Sequence, residues 1–287
     1  MQIVTDTGMD MTAEQRESLD FHYLPLTLTL DGKTYRSGID IEPEAFYDIL
    51  ETSEGLPTTS LPSPGEFAEL YRRLAQDDPD ILSVHISSGL SGTCNAAREG
   101  AKLVPEANIH VFDTLTLSGA EGWHVEAAAR AAKAGWGIPE TVELLEKVRT
   151  YTETLYTLAT LKYLIHGGRI SHIKGLVASV LRIKPLIAVN KDEGKYYQRG
   201  QTRTLPRAIL NVADVIAEDY PRGTPLRVQV LHGKNPEGAE RLRERIDSMF
   251  ACTWLPTSSI APVLGAHTGP GLVGAAYAPM EEFPELP

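Results

Sequence analysis

The chain has 287 residues, 42% of them hydrophobic, and a formal net charge of −11. That length buries a sizeable core and favours two domains over one, and the acidic balance excludes general affinity for nucleic acid. Cys94 and Cys252 show no metal or redox spacing and suit a reducing cytoplasm, and no basic stretch followed by an apolar run opens the chain as a secretory signal would.

In chain order, strand and helix signals alternate, as an α/β protein requires. Ile3-Val4 leads as a strand into Asp6-Thr7. Leu26 to Leu30 and Lys33 to Tyr35 flank Asp31-Gly32, a hairpin signal because type I′ turns need positive φ. Ser63-Pro64-Gly65-Glu66 and Ser118-Gly119-Ala120-Glu121 each have capping-box spacing; the first opens a helix with Phe67, Leu70, Tyr71 and Leu74 on one face, the second an Ala-rich helix stopped at Gly135. Ile81 to Ile86 and Ile109 to Phe112 between them predict buried strands.

A second set begins with strands at Leu155 to Ala159, Leu186 to Val189 and Tyr196-Tyr197. A helix over Ala208 to Glu218, a strand over Val228 to Leu231 and a helix over Glu237 to Phe250 follow. The pattern predicts domains at 1–157 and 158–287. From Ser248 to Met280 there is no Asp, Glu, Lys or Arg, yet Pro256, Pro262, Pro270 and Pro279 interrupt the stretch too often for a membrane-spanning helix. It reads as interior, with His267 and Thr268 in a glycine-rich turn as polar groups that need partners.

Four loops carry candidate chemistry. Thr58 to Ser63 precedes a helix start, and Ser87-Ser88-Gly89-Leu90-Ser91-Gly92-Thr93 runs from a buried strand into another helix. Both aim hydroxyls and free backbone N–H groups at one spot, a geometry that attracts carboxylate or phosphate but also serves simple helix capping. Gly167-Gly168-Arg169 is a helix stop followed by a guanidinium, and His267-Thr268 completes the set. None of the eight histidines has metal-ligand spacing, so no metal or other cofactor is expected. Between Lys162 and Arg207, ten Lys/Arg face only Asp192 and Glu193, a local charge of +8 in an acidic chain. A solvated basic face or a docking surface for an acidic partner or anionic lipid explains it.

Together these segments resemble the DegV family, whose members include the fatty-acid-binding subunits of bacterial fatty acid kinases. The likeness runs from Asp6-Thr7-Gly8-Met9-Asp10 through Thr59 to Phe67 and Ser87 to Thr93, then Tyr163 to Ile170, Ile183 to Leu186 and Gly265 to Gly271. It implies a two-domain α/β fold, an N-terminal mainly parallel sheet flanked by helices plus a C-terminal α/β domain, with a long-chain fatty acid between them. The implied ligand-binding set is Thr59, Ser60, Ser91, Gly92, Thr93, His267, Thr268 and Arg203. Within the basic segment, Arg169, Lys174, Arg199 and Arg207 are the expected positions for docking a kinase subunit or an anionic membrane surface. A cytoplasmic monomer is expected, and because no residue pair is spaced as nucleophile and base, it is expected to carry substrate without catalytic residues of its own. Leu61 and Leu205-Pro206-Arg207 depart from the family pattern, the first removing an amide near the headgroup, the second a lysine pair.

Two rival readings remain in view. A serine hydrolase would use Ser91 and His267 in α/β-hydrolase order, but Gly89-Leu90-Ser91-Gly92-Thr93 lacks the second elbow glycine. A phosphate- or nucleotide-binding enzyme would use the glycine turns, but neither a P-loop nor Rossmann spacing occurs.

Overall fold

The computed structural model describes residues 1–172 and 183–287. The predicted docking residue Lys174 lies outside them. The chain opens with β1 (Gln2–Asp6), α1 (Ala13–Arg16), β2 (His22–Leu24) and the hairpin β3 (Thr27–Leu30) to β4 (Lys33–Arg36). Asp31 and Gly32 at the hairpin tip have φ of 49 and 77, the paired positive values of a type I′ turn. There follow α2 (Pro43–Thr52), β5 (Thr58–Ser60), α3 (Pro64–Leu74), β6 (Asp80–His85), α4 (Thr93–Lys102), β7 (Asn108–Asp113), α5 (Ser118–Lys133) and α6 (Ile138–Tyr151).

The second half contains β8 (Glu153–Thr157), α7 (Lys162–His166), β9 (Lys184–Val189), β10 (Tyr196–Thr202), α8 (Leu205–Asp219) and β11 (Pro225–His232). It ends with α9 (Pro236–Asp247), β12 (Ala251–Trp254), β13 (Ser258–Ser259), α10 (Pro262–Thr268) and β14 (Val273–Pro279).

Three sheets result. The first is parallel, in the order β2-β1-β6-β7. In β6 every residue after Asp80 is buried, the continuous pattern of a parallel strand covered on both faces. The second is mixed, in the order β10-β9-β8-β14-β11-β12, with β13 also pairing β11. The third is the antiparallel ribbon β4-β3-β5. Because β8 pairs β14 and β9, residues Glu153–Thr157 belong to the second sheet. The predicted boundary after 157 therefore cuts off the strand that pairing assigns to the second half.

Helix α5 is shared between the two large sheets. Every residue from Ser118 to Ala129 is buried, as expected of a helix that packs on all sides. Its alanines and glycines keep it thin: a Cβ on Gly119 would lie 2.9 Å from the Gln229 amide oxygen and 3.2 Å from Leu231 of β11. Trp123 Nε1 donates to Gln229 Oε1 at 2.9 Å, joining α5 to that strand, while α5 also packs against β1 and β6.

The capping box at Ser63 forms with Glu66, but the one expected at Ser118 does not. Ser118 has φ of 62, and its hydroxyl turns away from the helix to donate to Asp10. Asp10 also accepts from Ala261 N at 2.7 Å, so these bonds tie the loop after β1 to α5 and to the start of α10. No helix among the described residues is long and apolar enough to cross a membrane.

Candidate functional site

Four segments from different parts of the chain meet beside α10. Pairing with β3 places Thr59 opposite Leu28 and turns β5 towards α10. Pro262 begins α10 with its ring-fixed φ, and Gly269, with φ of 71, ends it, so His267 and Thr268 sit on its last turn. Thr59 Oγ1 lies 2.9 Å from His267 Nε2. The other ring nitrogen, Nδ1, is buried without a hydrogen-bond partner. Burial, aided by the charges of Arg169 and His166, pushes the imidazole down to about 4, so it is neutral near pH 7 with one N–H and one lone pair.

Arg169 follows α7 and reaches the same spot. Its Nη1 donates to Gly167 O at 2.6 Å and its Nε to Leu90 O at 3.3 Å. The loop after β6 supplies Ser91, whose Oγ lies 2.8 Å from Thr93 Oγ1 and accepts from Thr93 N at 3.3 Å. Ser91 thus caps the start of α4 while still bordering the cavity. The loop is anchored to the β9–β10 turn, because Ser87 Oγ donates to Gly194 O at 2.7 Å.

These side chains line an outer cavity of about 70 Å³, walled by Thr59, Ser60, Ser91, Arg169 and His267 on its polar side. Leu117, Tyr196 and Leu264 form part of its floor and also wall an inner, nearly apolar cavity of about 20 Å³ reaching Tyr156, Ile187 and Leu272. The arrangement is a polar mouth separated from an apolar interior cavity by the side chains the two share.

Several predicted residues stand elsewhere. Thr93 is fully buried and orients Ser91, and Gly92 lies against Leu61, where a Cβ would come within 3.0 Å. Thr268 faces the inner cavity, with its hydroxyl donating to Leu264 O at 3.1 Å. Arg203, expected at the ligand, lies in the exposed turn before α8, outside both cavity linings. Arg169, expected at a docking surface, is the guanidinium that lines the mouth. Arg199 is bound to Asp219 through contacts of 2.9 and 3.1 Å, and Lys191 to Glu153 at 2.6 Å, so part of the local positive charge is paired within the fold. Arg207 is exposed and without a carboxylate partner among the described residues. Leu117, Tyr196 and Leu264 were not singled out in the sequence, where they look like ordinary core.

The geometry does not assemble a hydrolase at Ser91, whose oxygen is paired to Thr93 while His267 faces Thr59. A Ser–His–Asp chain does exist elsewhere: Asp6 Oδ2 lies 2.9 Å from His85 Nδ1, and His85 Nε2 lies 2.7 Å from Ser83 Oγ. Ser83 continues to the Tyr71 hydroxyl at 2.8 Å, and all four side chains are sealed at 0% exposure, which makes this a structural network closed to substrate. Among the described residues no three His, Cys, Asp or Glu side chains gather as a metal site.

Fold and site together define an α/β protein with two large sheets, a small antiparallel ribbon and adjoining polar and apolar internal cavities. The chain belongs to the DegV family, whose model matches residues 1–280. A DegV domain-containing protein of Deinococcus radiodurans is 33% identical over 277 residues, covering 96% of this chain and 95% of that protein. One from Listeria innocua is 30% identical over 277 residues, covering 96% and 97%. Among solved structures, a fatty-acid-binding DegV family protein from Thermus thermophilus superimposes with a TM-score of 0.86 at 27% identity, over 97% of this chain and 99% of that one. DegV, a fatty acid binding protein from Bacillus subtilis, gives 0.86 at 27% identity, over 97% and 98%.

Proposed function

We propose that this protein binds a long-chain fatty acid and presents its carboxylate to a separate kinase subunit for acyl phosphate formation. The observation that carries the reading is that the two cavities adjoin: the outer one gathers Thr59, Ser91, His267 and Arg169, and shares Leu117, Tyr196 and Leu264 as a common wall with the apolar inner one. The fatty acid binding of the Thermus and Bacillus proteins supports it. A sixteen-carbon chain gains on the order of 10 kcal/mol on burial, at about 0.8 kcal/mol per methylene, whereas a buried carboxylate without partners loses several kcal/mol. The tail therefore supplies affinity and the polar mouth fixes position.

Neutral His267 and the Thr59 and Ser91 hydroxyls donate to the carboxylate, and Arg169 supplies the positive charge beside it. This assigns Arg169 to the headgroup and leaves Arg207 as the described docking position with a free charge. At about 70 and 20 Å³ the cavities are narrower than a long acyl chain, so entry displaces the side chains they share. Titration with palmitate by calorimetry tests the reading: saturable one-to-one binding is expected, and binding of ATP or inorganic phosphate in its place overturns it. With a fatty acid kinase subunit and ATP, acyl phosphate should form only when this protein is present.

A further inference from the structure

Deep in the inner cavity, Tyr156 is 5% exposed and its Oη is buried without a hydrogen-bond partner. Its ring crosses the neighbouring strand at Gly274, its cross-strand partner in β14, where any Cβ would overlap Tyr156 Cδ1. Gly274 thus gives the ring room over the strand, in a cavity whose wall is mostly aliphatic, Leu158, Ile187 and Leu272 among it, with Ser118, Tyr196 and Thr268 as its other hydroxyl-bearing residues.

The Ser118 and Thr268 hydroxyls are already committed, and Tyr196 brings a second phenol to the same cavity. Ser118 gives its proton to Asp10, which also accepts from Ala261, and Thr268 gives its proton to Leu264 O. Ser118 can offer Tyr156 only a lone pair, and even a phenol turned towards it keeps an accepting lone pair of its own. Burial raises the Tyr156 phenol well above its ordinary range, so it stays protonated and can donate.

We propose that the inner cavity holds a polar subsite, centred on Tyr156, that recognises a hydroxyl carried on the acyl chain, so that hydroxylated long-chain fatty acids belong to the substrate class. The proposal rests on the fatty-acid reading of the same site. A plain acyl chain leaves the accepting lone pair of the buried Tyr156 hydroxyl unused, and a hydroxylated chain in a wholly apolar tunnel leaves its own hydroxyl unpaired. Only the matched pair satisfies both, and an unmade buried hydrogen bond costs more than a made one contributes.

The test measures the affinities of stearate and of hydroxystearates with the hydroxyl at successive chain positions, in the wild type and in Tyr156→Phe, and reads the ratio of hydroxylated to plain acid within each protein. In the wild type a narrow range of positions should bind as tightly as stearate or tighter, with the others about tenfold weaker. In Tyr156→Phe that favoured range should disappear, its ratio falling about tenfold. The positional series in the wild type stands as a test whatever the variant does to the fold. A wild type that penalises the hydroxyl at every position, or a variant with unchanged ratios, overturns the subsite and indicates that water or Ser118 satisfies Tyr156. A wild type that binds neither stearate nor its hydroxylated forms refutes the fatty-acid reading, and the subsite with it.

Discussion

Gly167 is the backstop of His267: a Cβ at 167 would overlap the imidazole Nδ1 and come within 2.8 Å of Cε1. The bare backbone at the end of α7 thereby holds the ring against Thr59, and a glycine that sequence alone marks only as a helix stop also sets a rotamer. Gly167→Ala should push the ring off Thr59 and lower fatty acid affinity about tenfold, the scale of one charge-assisted hydrogen bond. Calorimetry on a variant with a native circular dichroism spectrum checks this; an unchanged dissociation constant would show that the ring position is set elsewhere.

Removing the donors themselves should cost as much or more. Ser91→Ala and His267→Ala each delete one partner of a buried carboxylate, roughly 1.5–3 kcal/mol, or about tenfold to more than a hundredfold in affinity. Arg169→Gln should weaken binding too, whereas Arg203→Gln, out in its exposed turn, should leave the dissociation constant at the wild-type value. The reverse ranking in a palmitate titration would restore Arg203 to the headgroup.

The depressed imidazole of His267 predicts a pH signature. Its pKa is about 4 in the fold against an ordinary 6.5, so the unfolded chain binds the extra proton between those values and stability falls as pH drops through that window. The cost reaches at most about 3 kcal/mol below pH 4. Buried His124, also pushed to about 4, adds to it, and Asp10, raised to about 7 by burial, opposes it, gaining stability as pH falls from about 7 towards 4. His267→Asn keeps both of those groups, so urea unfolding of the two proteins isolates the term. The wild type should lose stability relative to the variant on going from pH 7 to 4.5, and parallel curves would mean the imidazole is more hydrated than its burial indicates.

The basic segment separates in the same way. Arg199→Glu breaks a partly buried pair with Asp219 and sets like charges together, and should cost about 1 kcal/mol or slightly more in unfolding free energy. Arg207→Glu should stay within about 0.5 kcal/mol of wild type while slowing acyl phosphate formation with the kinase subunit at low salt. Equal kinase-coupled rates in wild type and Arg207→Glu would reduce that residue to a solvated charge.

Local chemistry was legible in the sequence wherever it was self-contained. Asp31-Gly32 specifies its turn by backbone conformation, and Ser63 with Glu66 closes a box within one helical turn, so both form as expected. Ser118 and Glu121 have the same spacing, yet a buried acid at Asp10, far back in the chain, recruits the Ser118 hydroxyl, and only the fold brings them together. Strand β5 is three residues long and exists because β3 pairs with it, which no periodicity within Thr58–Ser60 announces. The polar half of the site was readable from Thr59, Ser91 and His267. Its apolar half was not, because Leu117, Tyr196 and Leu264 have the character of any core residue until the sheets meet around them. That Arg169 lines the cavity and Arg203 does not has the same origin: both follow plausible turns, and tertiary packing alone decides which one faces the cavity.

The central claim, that the space between the sheets holds a long-chain fatty acid, is tested most directly by native mass spectrometry of the protein purified from cells, followed by lipid extraction. The account predicts one long-chain fatty acid per chain, lost together in His267→Ala and Ser91→Ala. A stoichiometric nucleotide or phosphate in its place, or a bare protein that takes up no palmitate when it is supplied, would contradict it.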